Sequence, residues 1–183
     1  MPDRARRALA PILALTLAAA TGCQENTGPL PEDHANLHPT VERVGVGRFD
    51  GALAREVRQA TARFSSTTQA SRAGYAVASE CVASPAGGMG FHWLKTELVD
   101  PVFDPLRPEA VLYEPRGKRG ELTLVAVEYI VVDVGQPRPT FAGQPFDVGG
   151  TPLPVPHWSL HVWLFRENPS GMFAPFNPRV TCP

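Results

Sequence analysis

Glu121-Leu122-Thr123-Leu124-Val125-Ala126-Val127-Glu128-Tyr129-Ile130-Val131-Val132 is the stretch on which the fold turns. It is rich in the β-branched residues that suit a pleated, buried surface. With the two-residue alternation of a strand, Leu122, Leu124, Ala126, Ile130 and Val132 fall on one face, and Val125, Val127, Tyr129 and Val131 on the other. A strand that is apolar on both faces lies at the centre of a sheet and is covered on both sides. Glu128 is the exception inside it.

Working outward, Val111-Leu112-Tyr113 is joined to this strand through Arg116-Gly117-Lys118-Arg119-Gly120, a charged turn with two glycines that predicts a hairpin. Further extended segments are expected at 75–81, 90–94, 110–114 and 159–165, separated by Gly and Pro. The connection from Gly135 to His157 carries six prolines, and a loop of that length is either functional or mobile. Upstream the period changes. Asp50 is placed to cap a helix on which Leu53, Val57, Ala60 and Phe64 form one apolar stripe. Ser65 to Thr68 interrupt it, and a second helical piece is expected from Thr68 to Ala73, ended by Gly74. Helices first and a run of strands afterwards predict an α+β fold, an N-terminal helix or helix pair packed on an antiparallel sheet of about four to five strands. A cystatin-like curved sheet around one helix fits this order, an analogy that carries no function.

An ionised carboxylate buried at Glu128 without a partner costs several kcal/mol or more, so it must be protonated, paired or metal-bound, or its face must open onto water. Two histidines have the character of partners. His92 lies within Gly87-Gly88-Met89-Gly90-Phe91-His92-Trp93, and His161 alternates with Leu160 and Val162 on the last strand, on one face with Trp163 and Phe165. Two imidazoles and a carboxylate suit a divalent metal such as zinc; without metal they could form an acid and base pair, with Glu128 and His161 as the catalytic candidates. A buried ion pair between Glu128 and one histidine is the structural alternative. All three readings stand at this point, because the residues come from distant strands.

Other candidates are weaker. His157 and His161 have helical metal-pair spacing, but Pro152, Pro154 and Pro156 precede them. Phe91, Trp93, Trp158, Trp163 and Phe165 could line a pocket, although large aromatics in strands are mostly interior. The glycines before His92 lack the lysine and following helix of a phosphate loop, and no serine has a nucleophile-elbow setting. From Asn168 to Cys182 the chain is loop-like by its prolines, with Phe173 and Phe176 expected to plug it onto the domain.

The segments Gly87 to Trp93, Val127-Glu128-Tyr129, Leu160-His161-Val162-Trp163 and Asn168 to Cys182 together resemble an uncharacterised family of exported bacterial proteins and lipoproteins. The resemblance covers most of the domain and implies membership, with no activity, cofactor or residue role attached.

The amino-terminal end gives an address. Arg4, Arg6 and Arg7 precede an apolar run from Leu9 to Ala20 and then Thr21-Gly22-Cys23. Such a run is a secretory signal, too short for a stable span. Its ending resembles the bacterial lipobox, with Ala20 where Leu is most common, and implies a signal peptide over 1–22 and lipidation at Cys23. Cleavage after Ala18-Ala19-Ala20 would instead release a soluble secreted protein. Parity favours the lipobox, since lipidating Cys23 leaves Cys81 and Cys182 as one pair in an oxidising compartment. Residues 24–40 are polar and broken by Pro29, Pro31 and Pro39, and read as a tether in which His34 and His38 are solvated. The folded domain then spans 41–183.

Without residues 1–22 the formal charge moves from −1 to −3. No basic cluster marks the chain for nucleic acid, and no second apolar run is long enough to span a bilayer. The expected protein faces the periplasm or cell exterior and meets the membrane through its lipid. Its domain is expected to be a ligand-binding or accessory unit with a small-molecule or protein partner; the alternative is a hydrolase-like, metal-dependent enzyme using His92, Glu128 and His161.

Overall fold

In the computed structural model the described residues are 51–117, 120–150 and 153–183. The expectations for the signal, Cys23, the tether with His34 and His38, and the Asp50 cap lie outside them.

The chain enters through helix α1 (Gly51–Thr61), continues as a 3-10 turn over Ala62–Ser65 and re-forms as α2 (Thr67–Arg72). The hydroxyls explain the break: Thr61 Oγ1 donates back to the Val57 carbonyl at 2.7 Å, while Ser66 Oγ accepts from the Gln69 N–H at 3.4 Å and so starts α2 as its cap. Gly74 follows with φ +96°, a left-handed position that ends the helix.

Among the described residues nine strands follow. They are β1 (Ala76–Val77), β2 (Val82–Ser84), β3 (Gly87–Leu94), β4 (Ala110–Arg116), β5 (Glu121–Val132), β6 (Thr140–Phe141), β7 (Gln144–Pro145), β8 (Asp147–Val148) and β9 (His157–Val162). The main sheet is antiparallel, in the order β1-β3-β4-β5-β9-β8 with β2 also on β3; β6 and β7 form a separate ribbon. The fold is therefore α+β with an antiparallel sheet, but seven strands replace the four or five expected. The added strands β2 and β8, three and two residues long, are too short to show a period in sequence.

β5 is central, paired with β4 on one side and β9 on the other, and every residue from Leu124 to Val131 is buried. One face carries Val127, Tyr129, Val131, Leu160 and Val162 against Val57, Phe64 and Ala70 of the helical segment. The opposite face carries Leu94, Ala110, Leu112, Ala126, Ile130 and Trp163, packed with Val180. Strict alternation fails at one place. The register shifts between Leu112 and Tyr113, leaving Val125 as an extra residue between Ala126 and Leu124. Such a bulge reverses the facing of everything before it. Leu122 and Leu124 consequently join the helix-side core and Val125 the other, against the alternation read from sequence.

The last strand also ends early. β9 stops at Val162, and the amides of Phe165 and Arg166 both donate to the Val125 carbonyl exposed by the bulge. This turn carries Phe165 to the helix side, where the Arg58 guanidinium lies 4.8 Å from its ring, so Phe165 does not share a face with His161 as expected. The segment expected as a strand over 75–81 is extended only at Ala76–Val77.

The carboxyl-terminal segment crosses the second face as a strap. Asn177 exchanges backbone hydrogen bonds with Gly88 at 3.0 and 3.1 Å, and the Trp163 amide donates to Met172. The glycine run before His92 serves this approach: a Cβ on Gly87 would sit 2.3 Å from the Asn177 carbonyl oxygen, and one on Gly88 2.7 Å from that of Val180. Cys81 and Cys182 form a disulfide that fastens the strap's end. Phe173 packs on the helix-side core. Among the described residues no helix is long and apolar enough to cross a membrane.

Glu109 went unnoticed in the sequence although only 1 % of its surface is exposed. It precedes β4 and accepts the Ile130 amide at 2.8 Å, supplying by side chain a bond the ladder lacks there. Burial pushes its carboxyl up to about 8, with the Ile130 N–H pulling the other way. A carboxyl raised in the folded state gives stability that is complete below the unfolded value near 4.5 and is lost as pH climbs towards 8. Glu109→Gln keeps the acceptor and removes the charge. The variant is expected to match the parent near pH 4.5 and to exceed it at pH 8 by about 2 to 4 kcal/mol, measured by urea unfolding at both values. Equal pH profiles for the two proteins would refute this.

Candidate metal centre

The register places the three expected residues on the second face. Glu128 of β5 stands directly opposite His161 of β9, and on its other side opposite Ala110 of β4. His92 of β3 pairs with Leu112, one row away, and must reach across β4 to approach Glu128. Ala110 contributes only a methyl group between them, which leaves that space open.

The side chains converge. His92 Nε2 lies 3.5 Å from Glu128 Oε2, and His161 Nε2 lies 3.9 Å from Glu128 Oε1. One donor atom from each residue can be chosen so that all lie within 4.8 Å of one another. Around a tetrahedral zinc ion with bonds of about 2.1 Å, neighbouring donors stand about 3.4 Å apart. The two distances to Glu128, 3.5 and 3.9 Å, are close to that shell, while the set as a whole, spread over up to 4.8 Å, is wider and would have to draw in around an ion.

Each group is held by something behind it. Ser79 Oγ is 3.0 Å from His92 Nδ1 and also accepts the His92 backbone amide at 3.1 Å, so the ring is fixed with Nε2 facing Glu128. Ser159, two residues before His161 on the same face of β9, hydrogen-bonds Glu128. Trp163 stacks on the His161 ring with centroids 6.4 Å apart, and its indole N–H donates to the Ala174 carbonyl of the strap at 2.6 Å. Sequence reading missed both serines. Ser159 was accessible by strand parity with His161, but nothing local marks Ser79, which reaches His92 from a bend beyond β1.

The trio is buried, with 5 to 7 % of each residue exposed. Burial lowers His92 to about 4 and His161 to about 3, the neighbouring His92 adding to the latter, and raises Glu128 to about 8 against the Ser159 hydrogen bond. At neutral pH both imidazoles are therefore uncharged and the carboxyl is mostly protonated. Burial thus disfavours the charged form of all three groups, while both nitrogen–oxygen separations stay within ion-pair reach. His161 Nε2 is left fully buried and without a hydrogen-bond partner, a state that costs about 1 to 3 kcal/mol unless something occupies it.

The remaining candidates lie elsewhere. His157 is on the same face but its Nδ1 bonds the Val155 carbonyl at 2.8 Å, and it stands opposite Val132, four residues from His161 along β9. Trp93, Trp158 and Phe165 pack with the helix-side core while Trp163 serves the other face, so this aromatic set lines no common pocket.

Comparison with protein families, with curated proteins and with solved structures finds no match. The chemistry of the trio has to carry the functional reading.

Proposed function

We propose that this chain is an exported, lipid-anchored protein of the family that its segments resemble, and that its domain binds a divalent metal ion, zinc by donor set, through His92 Nε2, a Glu128 carboxylate oxygen and His161 Nε2. The observation that carries the reading is the orphaned His161 nitrogen, 3.9 Å from one oxygen of a Glu128 carboxyl whose other oxygen a second imidazole approaches to 3.5 Å. A cation between them satisfies all three donors at once and turns the neutral carboxyl into a ligand. Support for the address comes from the cysteine count. The disulfide uses Cys81 and Cys182, which leaves Cys23 for the lipid.

Elemental analysis of the mature, tag-free protein tests the site. About one zinc per chain is expected, falling below a tenth of that in His161→Ala with the fold retained by circular dichroism. A parent protein that stays metal-free after zinc incubation and dialysis would refute the reading.

One observation favours the hydrolase-like alternative. His92, Glu128 and His161 are three candidate ligands, and an ion held by three would have a fourth tetrahedral position for water, the arrangement of catalytic rather than structural zinc. Ester hydrolysis by the zinc-loaded protein that is lost in His161→Ala would support it; zinc bound without turnover on ester or phosphoester probes would leave the domain as a metal-binding unit.

A further inference from the structure

On the helix side of the sheet, on the face opposite the trio, the end of β3 and the turn after α2 border a cavity of about 80 Å³. Phe64, Tyr75, Leu98 and Leu106 give it apolar walls, and Arg63, Lys95 and Arg107 bring three cations to its rim. Among the described residues none of these cations has a carboxylate within 4.0 Å. The nearby acids do not fill the role. Asp104 spends a carboxylate oxygen on the Leu106 amide at 2.9 Å, Glu97 does not line the space, and Glu109, close enough to act on Tyr75, is buried with an oxygen on the Ile130 amide and does not line it either.

Lys95 is half-buried, whereas Arg63 and Arg107 are exposed at the rim. The Arg63 guanidinium lies 4.8 Å from the centroid of the Phe64 ring, whose own edge-to-face partner is Tyr75 at 4.8 Å. The Tyr75 hydroxyl is tied to the Pro108 carbonyl at 2.7 Å, next to Arg107. Lys95 lays its stem along Gly74, where an added Cβ would meet Lys95 Cε at 3.4 Å, and it is half-buried, so its ammonium is carried on a packed arm. Beside this cavity a wider depression of about 370 Å³, which shares Arg63 and Ala73, adds Gln69 and Arg72.

We infer that this second site binds a small organic oxyanion, its carboxylate or phosphate held by Arg63, Lys95 and Arg107 and its apolar part against Phe64, Tyr75 and Leu106. The volume holds a few waters or one such head group. Planar guanidinium forks match the oxygens of either acid, whereas a neutral ligand would leave three cations around one cavity without a counter-charge. The inference is independent of the metal centre, which occupies the opposite face. A free metabolite and a lipid head group present the same oxyanion, and only experiment separates these sources.

The test is isothermal titration of the purified mature protein, in a detergent with neutral head groups, using phenyl phosphate and benzoate. Saturable binding of at least one probe is expected, weakened at least tenfold in Arg63→Ala/Arg107→Ala and unchanged in Arg179→Ala, whose guanidinium pairs with Glu167 at a distant position. Repeating the titration in micelles doped with phosphatidylglycerol identifies the source: competition by the anionic lipid supports a head-group ligand, and its absence a soluble one. No saturable binding of either probe up to about 10 mM, a range weaker than the recognition expected of a built site, or binding that is unaffected by the double substitution, would overturn the inference.

Discussion

Zinc added to the metal-free protein is expected to raise its thermal unfolding midpoint by about 10 °C. A ligand that binds only the folded state stabilises it by about 4 kcal/mol when its free concentration is a thousand times the dissociation constant, and each kcal/mol moves the midpoint of a chain of this size by about 2 to 4 °C. The unfolded chain offers no comparable site, because His92, Glu128 and His161 come from β3, β5 and β9 and meet only through the register of the sheet. His161→Ala separates this reading from the ion-pair one. In a buried ion pair, removing one partner strands a charge and costs about 3 to 5 kcal/mol with or without zinc. In an empty metal site the same substitution deletes a nitrogen that already lacks a partner, so the metal-free protein should lose less than a full ion pair's worth. The zinc-induced shift, however, should vanish. Ser79→Ala should keep zinc binding but weaken it about 10- to 100-fold, because it frees the His92 ring without removing a ligand. A midpoint unmoved by excess zinc in the parent protein sinks the proposal, whatever the variants do.

Parity and chemical type carried the sequence reading well in the middle of the chain and poorly at its edges. β5 spans the residues expected of it, and its hairpin with β4 follows from the two glycines of the turn. Glu128 drew notice by being a carboxylate in an apolar strand, which is a statement about cost and needs no coordinates. Its neighbours are a different matter. That His161 stands opposite Glu128 depends on a one-residue choice of register, and that His92 reaches it depends on Ala110 being small. The Val125 bulge defeats alternation because the extra residue is as apolar as those around it. Glu109 stayed hidden for the opposite reason: it sits between Pro108 and Ala110 outside any apolar run, and only the folded sheet reveals that its carboxyl substitutes for a ladder bond. The strap was legible as a loop, but its path was not. Gly87 and Gly88, weighed in the sequence only as a phosphate loop that lacks its lysine and helix, are the places where Asn177 and Val180 press against the backbone.

Breaking the Cys81–Cys182 bond is expected to cost about 4 to 5 kcal/mol, the loop-closure contribution for a separation of 101 residues. The midpoint of the folded domain should fall by about 10 to 20 °C on reduction. Cys81→Ser, Cys182→Ser and the double substitution should all fall by the same amount, since any one of them opens the same loop and the effects cannot add. The damage should also be local. The strap's last anchor before Cys182 is Val180, packed against Gly88 at the start of β3, and Cys81 lies two residues beyond the Ser79 that holds His92. Freeing the strap therefore loosens the supports of both imidazoles, Ser79 behind His92 and the Ala174 carbonyl that receives the Trp163 indole beside His161. Limited proteolysis of the reduced protein should cut first between Met172 and Val180, while β4 and β5 remain intact, and zinc affinity should drop before global unfolding. Native and reduced proteins that melt within a degree of each other would remove the bond as a stabilising element. A large loss of stability with zinc affinity unchanged would show that the strap holds the fold together without setting the site.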